Sequence, residues 1–193
     1  MIKKIVPASL AFAAVSALAF SCAQARSLEE IKADGTLRVG STGDYKPMSY
    51  LNKETGKYEG FDAAMAASLA KYLGVKLVYV PTTWKTLQSD TMTDKFDVAM
   101  CGITVTKARK AVMNMSEGYL TFGKTILVTK GKEGQFKSLD DVNQPSVRVM
   151  YNPGGTNEKF AKEFTPRAQL IMHEQNAEIP GLVGEGEMAG DSF

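Results

Sequence analysis

Short apolar runs alternate with helical patterns along most of this chain, and that alternation limits the fold more than any other feature. Leu37–Ser41, Lys76–Val80 and Phe96–Met100 read as strands. Between them, Asp62–Leu73 carries a helical pattern rich in small residues, with Gly74 placed to cap its end, and Trp84–Met92 reads as a second helix. Further on, Ile126–Thr129, Val147–Tyr151 and Gln169–Met172 read as strands. Ser138–Asp141, Thr156–Phe164 and Ala177–Glu185 read as helices. Strands separated by helices cannot pair as hairpins. They pair in parallel, so the pattern predicts an α/β fold with helices covering the sheet faces.

One strand-to-helix junction carries chemistry of its own. Asn152-Pro153-Gly154-Gly155-Thr156-Asn157-Glu158 follows a strand and opens a helix. The first N–H groups of a helix lack internal partners and sit at the positive end of its dipole, so an anion is stabilised there. Two glycines let a ligand approach the backbone closely, and Thr156 adds a hydroxyl. The same residues also suit an ordinary turn with a capping Thr.

The first residues read as a secretory leader rather than as part of the fold. Lys3 and Lys4 precede an apolar stretch, Ile5–Phe20, and Ala23-Gln24-Ala25 is an A-x-A cleavage signal, with Arg26 as the mature start. Cys22 raises lipidation as an alternative, but Ala19-Phe20-Ser21 is a poor lead-in for it. Loss of Lys3 and Lys4 takes the basic residues from 23 to 21, against 21 acidic ones, so the mature chain is formally neutral. It has no basic patch of the kind nucleic acid needs. Cys101 is then the one remaining cysteine, and its apolar context predicts a buried small residue. A single histidine, His173, cannot build a metal cluster, so neither a metal nor a cofactor is expected.

The pattern breaks near residue 130, at Lys130-Gly131-Lys132-Glu133-Gly134. Three segments are therefore expected: a leader at 1–25, a first lobe at 26–128 and a second at 129–193. The last ten residues, from Gly184, are Gly-rich and carry no strand pattern.

Several motifs together resemble one family. They are Leu37-Arg38-Val39-Gly40, Gly43–Tyr50, Gly60-Phe61-Asp62, Phe96–Thr104 and Arg109. These resemble the periplasmic solute-binding proteins of the amino-acid-binding type. Within them, Thr42–Pro47, Pro81–Trp84, Gly123-Lys124-Thr125 and Asn152–Ala161 look most like the cyclohexadienyl dehydratase branch. That branch converts prephenate or arogenate to phenylpyruvate or phenylalanine. The resemblance implies an α/β, two-lobed periplasmic-binding-protein-like fold of type II. It also implies a second lobe that is incomplete here, because family members continue through further strands. The branch's glutamate general acid lies in that continuation, so no residue of this chain takes its role.

The resemblance also assigns a site. Arg109 would grip a carboxylate with Gly102 and Thr104, although an Arg between Lys107 and Lys110 reads by itself as a solvated charge. Asp44, Lys124 and Asn152 would reach the substrate's hydroxyl or carboxylate groups, with Asp44 and Lys124 as the catalytic pair. Gly155 and Thr156 would bind from the helix start, and Tyr45 and Trp84 would flank a ring. Tyr50 and Phe61 are further aromatic residues near strand ends. Glu117, Glu158 and Glu174 read as surface groups.

The implied partner is a small carboxylate: prephenate, arogenate or an amino acid. The implied location is the periplasm. A transport role would add an ABC permease as a partner.

Overall fold

The computed structural model describes residues 25–185. The leader and Cys22 lie outside the described residues, as do the last eight residues. The first element, α1 (Leu28–Asp34), starts at a reciprocal cap: the Ser27 hydroxyl accepts the Glu30 N–H, and the Glu30 carboxylate accepts the Ser27 N–H. Gly35 ends it in the left-handed conformation and turns the chain into β1 (Thr36–Ser41).

β1 is the centre of a parallel sheet. On one side it pairs with β5 (Lys76–Pro81), from Thr36 opposite Lys76 to Ser41 opposite Pro81. On the other it pairs with β6 (Val98–Ala99) through Val39 and Gly40. The apolar side chains divide between two clusters. Leu37 and Val39 pack with Ile31 of α1 and with Ala66 and Ala70 of α2 (Phe61–Leu73). A second cluster holds Leu87 of α3 (Leu87–Met92), Phe96 and Cys101. The Phe96 ring lies so close to Gly40 that a Cβ there would sit 2.6 Å from it. Cys101 is fully buried, as expected, and burial pushes its thiol up to about 11. Its position is just past β6 rather than within a strand.

An antiparallel meander, β2 (Asp44–Tyr45), β3 (Ser49–Asn52) and β4 (Lys57–Glu59), separates β1 from α2. The alternation of long apolar runs gave no sign of it, because its strands are short and mostly polar. A short α4 (Lys107–Lys110) follows β6.

A second, smaller parallel sheet pairs β7 (Arg148–Tyr151) with β8 (Gln169–Met172). Between them runs α6 (Thr156–Phe164), preceded by the short α5 (Leu139–Val142). A 3-10 turn (Asn176–Glu178) leads into α7 (Ile179–Gly184). The helix expected over Ala177–Glu185 is thus divided, and Pro180 sits in the first turn of α7, where its missing N–H is tolerated. This sheet has its own core. Val142, Val147, Val149 and Ala161 pack on one cluster, and Met150, Ile179 and Val183 on another.

Three expected elements differ. The helix predicted from Trp84 begins only at Leu87. Thr83 and Thr86 bond each other's backbone and hydroxyl groups first, which favours a turn. The strand expected over Phe96–Met100 is assigned only at Val98–Ala99. Ladder bonds continue beside it, from Asp97 N–H to the Arg38 carbonyl and from Met100 N–H to the Gly40 carbonyl. The strand expected at Ile126–Thr129 reduces to an isolated bridge at Leu127, while Ile126 packs into the second core.

Asp97 ties the outer end of the first sheet together. Its carboxylate, 1% exposed, accepts hydrogen bonds from the Arg26 and Arg38 guanidinium groups at 2.6–3.1 Å and from Arg38 N–H at 2.7 Å. Burial pushes this carboxyl group up, but the bonds from Arg26 and Arg38 outweigh burial and hold it at about 2 instead of 3.8. A depressed carboxylate stabilises the fold fully above its unfolded value, and this stabilisation is lost as the pH falls through the folded one. Asp97 therefore supports the fold at neutral pH and ceases to do so as the pH drops from 3.8 toward about 2. Asp97→Ala is expected to lower the unfolding free energy at neutral pH by on the order of 3 kcal/mol, read from the urea midpoint. A midpoint equal to that of the native protein would contradict this account.

Candidate functional site

A cavity of about 570 Å³ opens between the two sheets. One wall comes from residues that follow β1, β5 and β6: Asp44, Tyr45, Trp84, Gly102 and Thr104. In an open parallel sheet these strand ends are where ligands bind. The opposite wall is the β7–α6 junction, with Asn152, Gly155, Thr156 and Asn157. The connecting segment between the sheets adds Phe122 and Lys124, and the 3-10 turn adds Asn176.

On the first wall, Asp44 is nearly buried at 9% exposure. Its two carboxylate oxygens accept the Trp84 indole N–H at 2.9 and 3.1 Å. Burial pushes the Asp44 carboxyl group up, although the bond from Trp84 acts against it. The Trp84 ring meets the Tyr45 ring edge-on, with centroids 6.1 Å apart. The Tyr45 ring in turn lies against Gly102, where any Cβ would come within 2.6 Å of it. Gly102 also has φ +71°, a second reason for glycine at this position.

On the second wall, Lys124 donates to the Thr156 hydroxyl at 3.0 Å and also to the Asn157 side-chain carbonyl. Asn157 passes the interaction on by donating to Asn152 at 2.8 Å. Burial lowers the Lys124 ammonium below its ordinary value, and the nearby Arg109 charge adds to this. Among the described residues no carboxylate pairs with Lys124.

The structure thus brings together Asp44, Tyr45, Trp84, Gly102, Thr104, Lys124, Asn152, Gly155 and Thr156. Arg109 lies beside them but does not line this cavity. Its guanidinium faces an adjoining cavity of about 340 Å³, which it shares with Trp84, Lys85 and Gly154. It donates to the Thr104 carbonyl at 2.8 Å, and burial lowers its pKa.

One expected anion donor, and one N–H of the glycine turn, are already engaged. The Gly102 N–H donates to the Asp62 carboxylate, which is fully buried and also accepts the Tyr119 hydroxyl at 2.7 Å. The Gly154 N–H donates to Glu158 at 2.6 Å, so Glu158 closes its own helix start as well as pairing with Lys162. Tyr50 and Phe61 do not line the cavity. Tyr50 donates to Glu59, and Phe61 stacks on Tyr119. Asn157 and Asp62 stood in the conspicuous motifs without being singled out. Asn176 had no sequence signal at all.

Residues 37–188 match the bacterial extracellular solute-binding proteins, family 3. The chain belongs to this family. It is 43% identical over 179 residues to cyclohexadienyl dehydratase of Pseudomonas aeruginosa, covering 93% of this chain and 66% of that protein. It is 36% identical to the L-cystine-binding protein TcyJ of Escherichia coli K12, covering 63% of this chain and 46% of the relative. The chain therefore spans between about half and two thirds of the length of these relatives.

Among solved structures, it is similar to the ancestral amino acid-binding protein AncCDT-1, described as a precursor of cyclohexadienyl dehydratase. That similarity has a TM-score of 0.79 and 45% identity, over 85% of this chain and 73% of the other. An arginine-bound ABC transporter substrate-binding protein of Streptococcus pneumoniae gives a TM-score of 0.77 at 28% identity, over 85% and 70%. The fold of this family member is the two-lobed α/β fold of these binding proteins.

A carboxyl group whose folded pKa is raised destabilises the fold once it ionises. The stability linked to Asp44 is complete below its ordinary value of 3.8 and is lost as the pH rises through the higher folded value. Asp44→Asn removes that ionisation while keeping an oxygen for the Trp84 N–H. At pH 7 it is expected to raise the denaturation midpoint, with the gain vanishing at low pH. A fall in midpoint at pH 7 would show that the charged carboxylate is the stabilising form.

Proposed function

We propose that this cleft binds a small carboxylate and that the chain is a cyclohexadienyl dehydratase-like lyase acting on prephenate or arogenate. The observation that carries this reading is the Lys124 ammonium. It is solvent-accessible, has no carboxylate partner among the described residues, and lies against Thr156 across the cavity from Asp44 and Trp84. A cation in such a place favours an anionic ligand. The identity to cyclohexadienyl dehydratase of Pseudomonas aeruginosa supports the same class.

The chemistry assigns roles. Loss of carbon dioxide from prephenate breaks a ring carbon–carboxylate bond. Its electron pair completes the aromatic ring and expels the hydroxyl group, which leaves as water once an acid protonates it. In this reading Lys124 and Thr156 orient a carboxylate, and Trp84 and Tyr45 lie along the ring. Asp44, whose carboxyl group burial raises above its ordinary value, hydrogen-bonds the hydroxyl. Asn152, Gly155, Gly102 and Thr104 complete the walls, and Arg109 joins when the cleft narrows.

The lobes assigned to this reading are 26–128 and 129–193, following a leader at 1–25 that exports the chain to the periplasm. The segregated cores of the two sheets support such a division.

A second reading has its own support. The relatives also include amino-acid-binding proteins, AncCDT-1 among them. On that reading the cleft takes up an amino acid and presents it to an ABC permease. Incubation with prephenate separates the two. Formation of phenylpyruvate above the uncatalysed rate supports the lyase. Saturable binding of an amino acid, with prephenate unchanged, supports the transport reading. Lys124→Ala is expected to weaken prephenate binding by about 1.5–3 kcal/mol, the scale of a hydrogen bond to a charged group. Equal affinities in titration calorimetry would remove Lys124 from the site.

A further inference from the structure

The two walls of the cleft touch at three places that the site described above does not use. The Asn176 side-chain amide donates to the Asp44 main-chain carbonyl at 3.2 Å, joining residues 132 positions apart. Lys53, at the start of the loop after β3, lies 3.9 Å from Glu178, two residues beyond Asn176. Gly154 presses on the opposite wall so closely that a Cβ there would lie 2.3 Å from the Lys85 Cα. Gly154 also has φ +80°, so glycine is required twice over.

Asn176 differs from the other two contacts in what it touches. It lines the cavity, and the strand it bonds, β2, carries the Asp44 carboxylate that accepts the Trp84 indole. The 3-10 turn packs directly on β2. Asp44 is therefore covered on one side by its own lobe and on the other by an element from the second sheet's side of the cleft. If the walls separate, Asp44 keeps Trp84 and loses Asn176.

We propose that Asn176 is a positioning residue that couples closing of the cleft to burial of the Asp44 carboxylate. The coupling has a physical basis. Burial is the largest influence on the Asp44 carboxyl group and raises its pKa, whereas the bond from Trp84, which lies on its own wall, lowers it. The Asn176 main-chain N–H also lowers it, but less than burial raises it. Opening the cleft removes the covering turn and leaves the Trp84 bond in place, so the carboxyl group returns toward its ordinary value. The other titratable groups on the elements packed around Asp44 are Tyr45 beside it, Lys46 and Lys124 on the cavity lining, Glu178 on the 3-10 turn with Lys53 and His173 against it, and Cys101. Burial holds the thiol up to about 11, so it does not titrate near Asp44.

Trp84 is the single tryptophan of the chain, so its emission reports this pair directly. The test is a titration of that emission between pH 3 and pH 8 on the purified protein without ligand. It can therefore fail independently of the carboxylate-ligand reading. The native protein is expected to show one transition with its midpoint above 3.8, the ordinary value for an aspartate. Asn176→Ala should move that midpoint down by about half a pH unit or more. Gly154→Ala, which holds the walls apart at a separate point, should move it in the same direction. It also serves if Asn176→Ala does not fold. Asp44→Asn should abolish the transition. A midpoint unchanged in either folded cleft variant overturns the proposal, as does a transition that survives Asp44→Asn.

Discussion

β1 pairs on both edges, with β5 and β6, and its apolar residues lie in the core under α1 and α2. A strand enclosed in this way cannot slide by one residue without moving Leu37 and Val39 out of the core. That fixed register sets everything downstream of its carboxyl end. Ser41 meets Ser49 through a buried hydroxyl pair at 2.8 Å, and three residues later Asp44 enters the cavity wall. The parallel neighbours end alongside it, so Trp84 after β5 and Gly102 after β6 arrive at the same edge. The wall of the cleft is thus a consequence of three strands ending together.

The electrostatics of the molecule divide along the same axis. At the outer end of the sheet, Asp97 is buried but paired with two guanidinium groups, and burial there is tolerated because the charge is compensated. At the cleft end, the Asp44 carboxylate accepts the neutral Trp84 indole N–H, and burial dominates. Lys124 across the cavity likewise has only neutral partners, Thr156 and Asn157. Two ionisable groups with opposing shifts in one cavity is the arrangement that acid–base chemistry and charged-ligand binding both use. The buried Asp97 is thus paired with opposite charge, whereas among the described residues Asp44 and Lys124 of the cleft are not.

The sites that sequence reading named are those whose neighbours in the chain already suggest a role. Asn152–Thr156 announces a helix start after a strand, and nine named residues do converge on one cavity. The reading was weaker where a group's partner is remote. Gly102 N–H was expected to be free, but the Asp62 carboxylate, 40 residues earlier, takes it. Arg109 was expected on the ligand, and its guanidinium donates to the Thr104 carbonyl beside the adjoining cavity.

Local chemistry determined part of the secondary structure: the Gly74 cap, the Ser138 cap, the helix from Thr156 to Phe164 and the strands at β1, β5, β7 and β8 all follow from residues near them in the chain. Those features depend on hydrophobic period and on side chains that bond their own backbone, and both can be read over a few residues. Only the tertiary structure decided that Asp97 is buried between Arg26 and Arg38, that Asp62 occupies an expected anion donor, and that Asn176 reaches Asp44 across the cleft. Each of these joins groups far apart in sequence. What a buried polar group bonds to depends on which surfaces folding presses together, and nothing local to the residue encodes that.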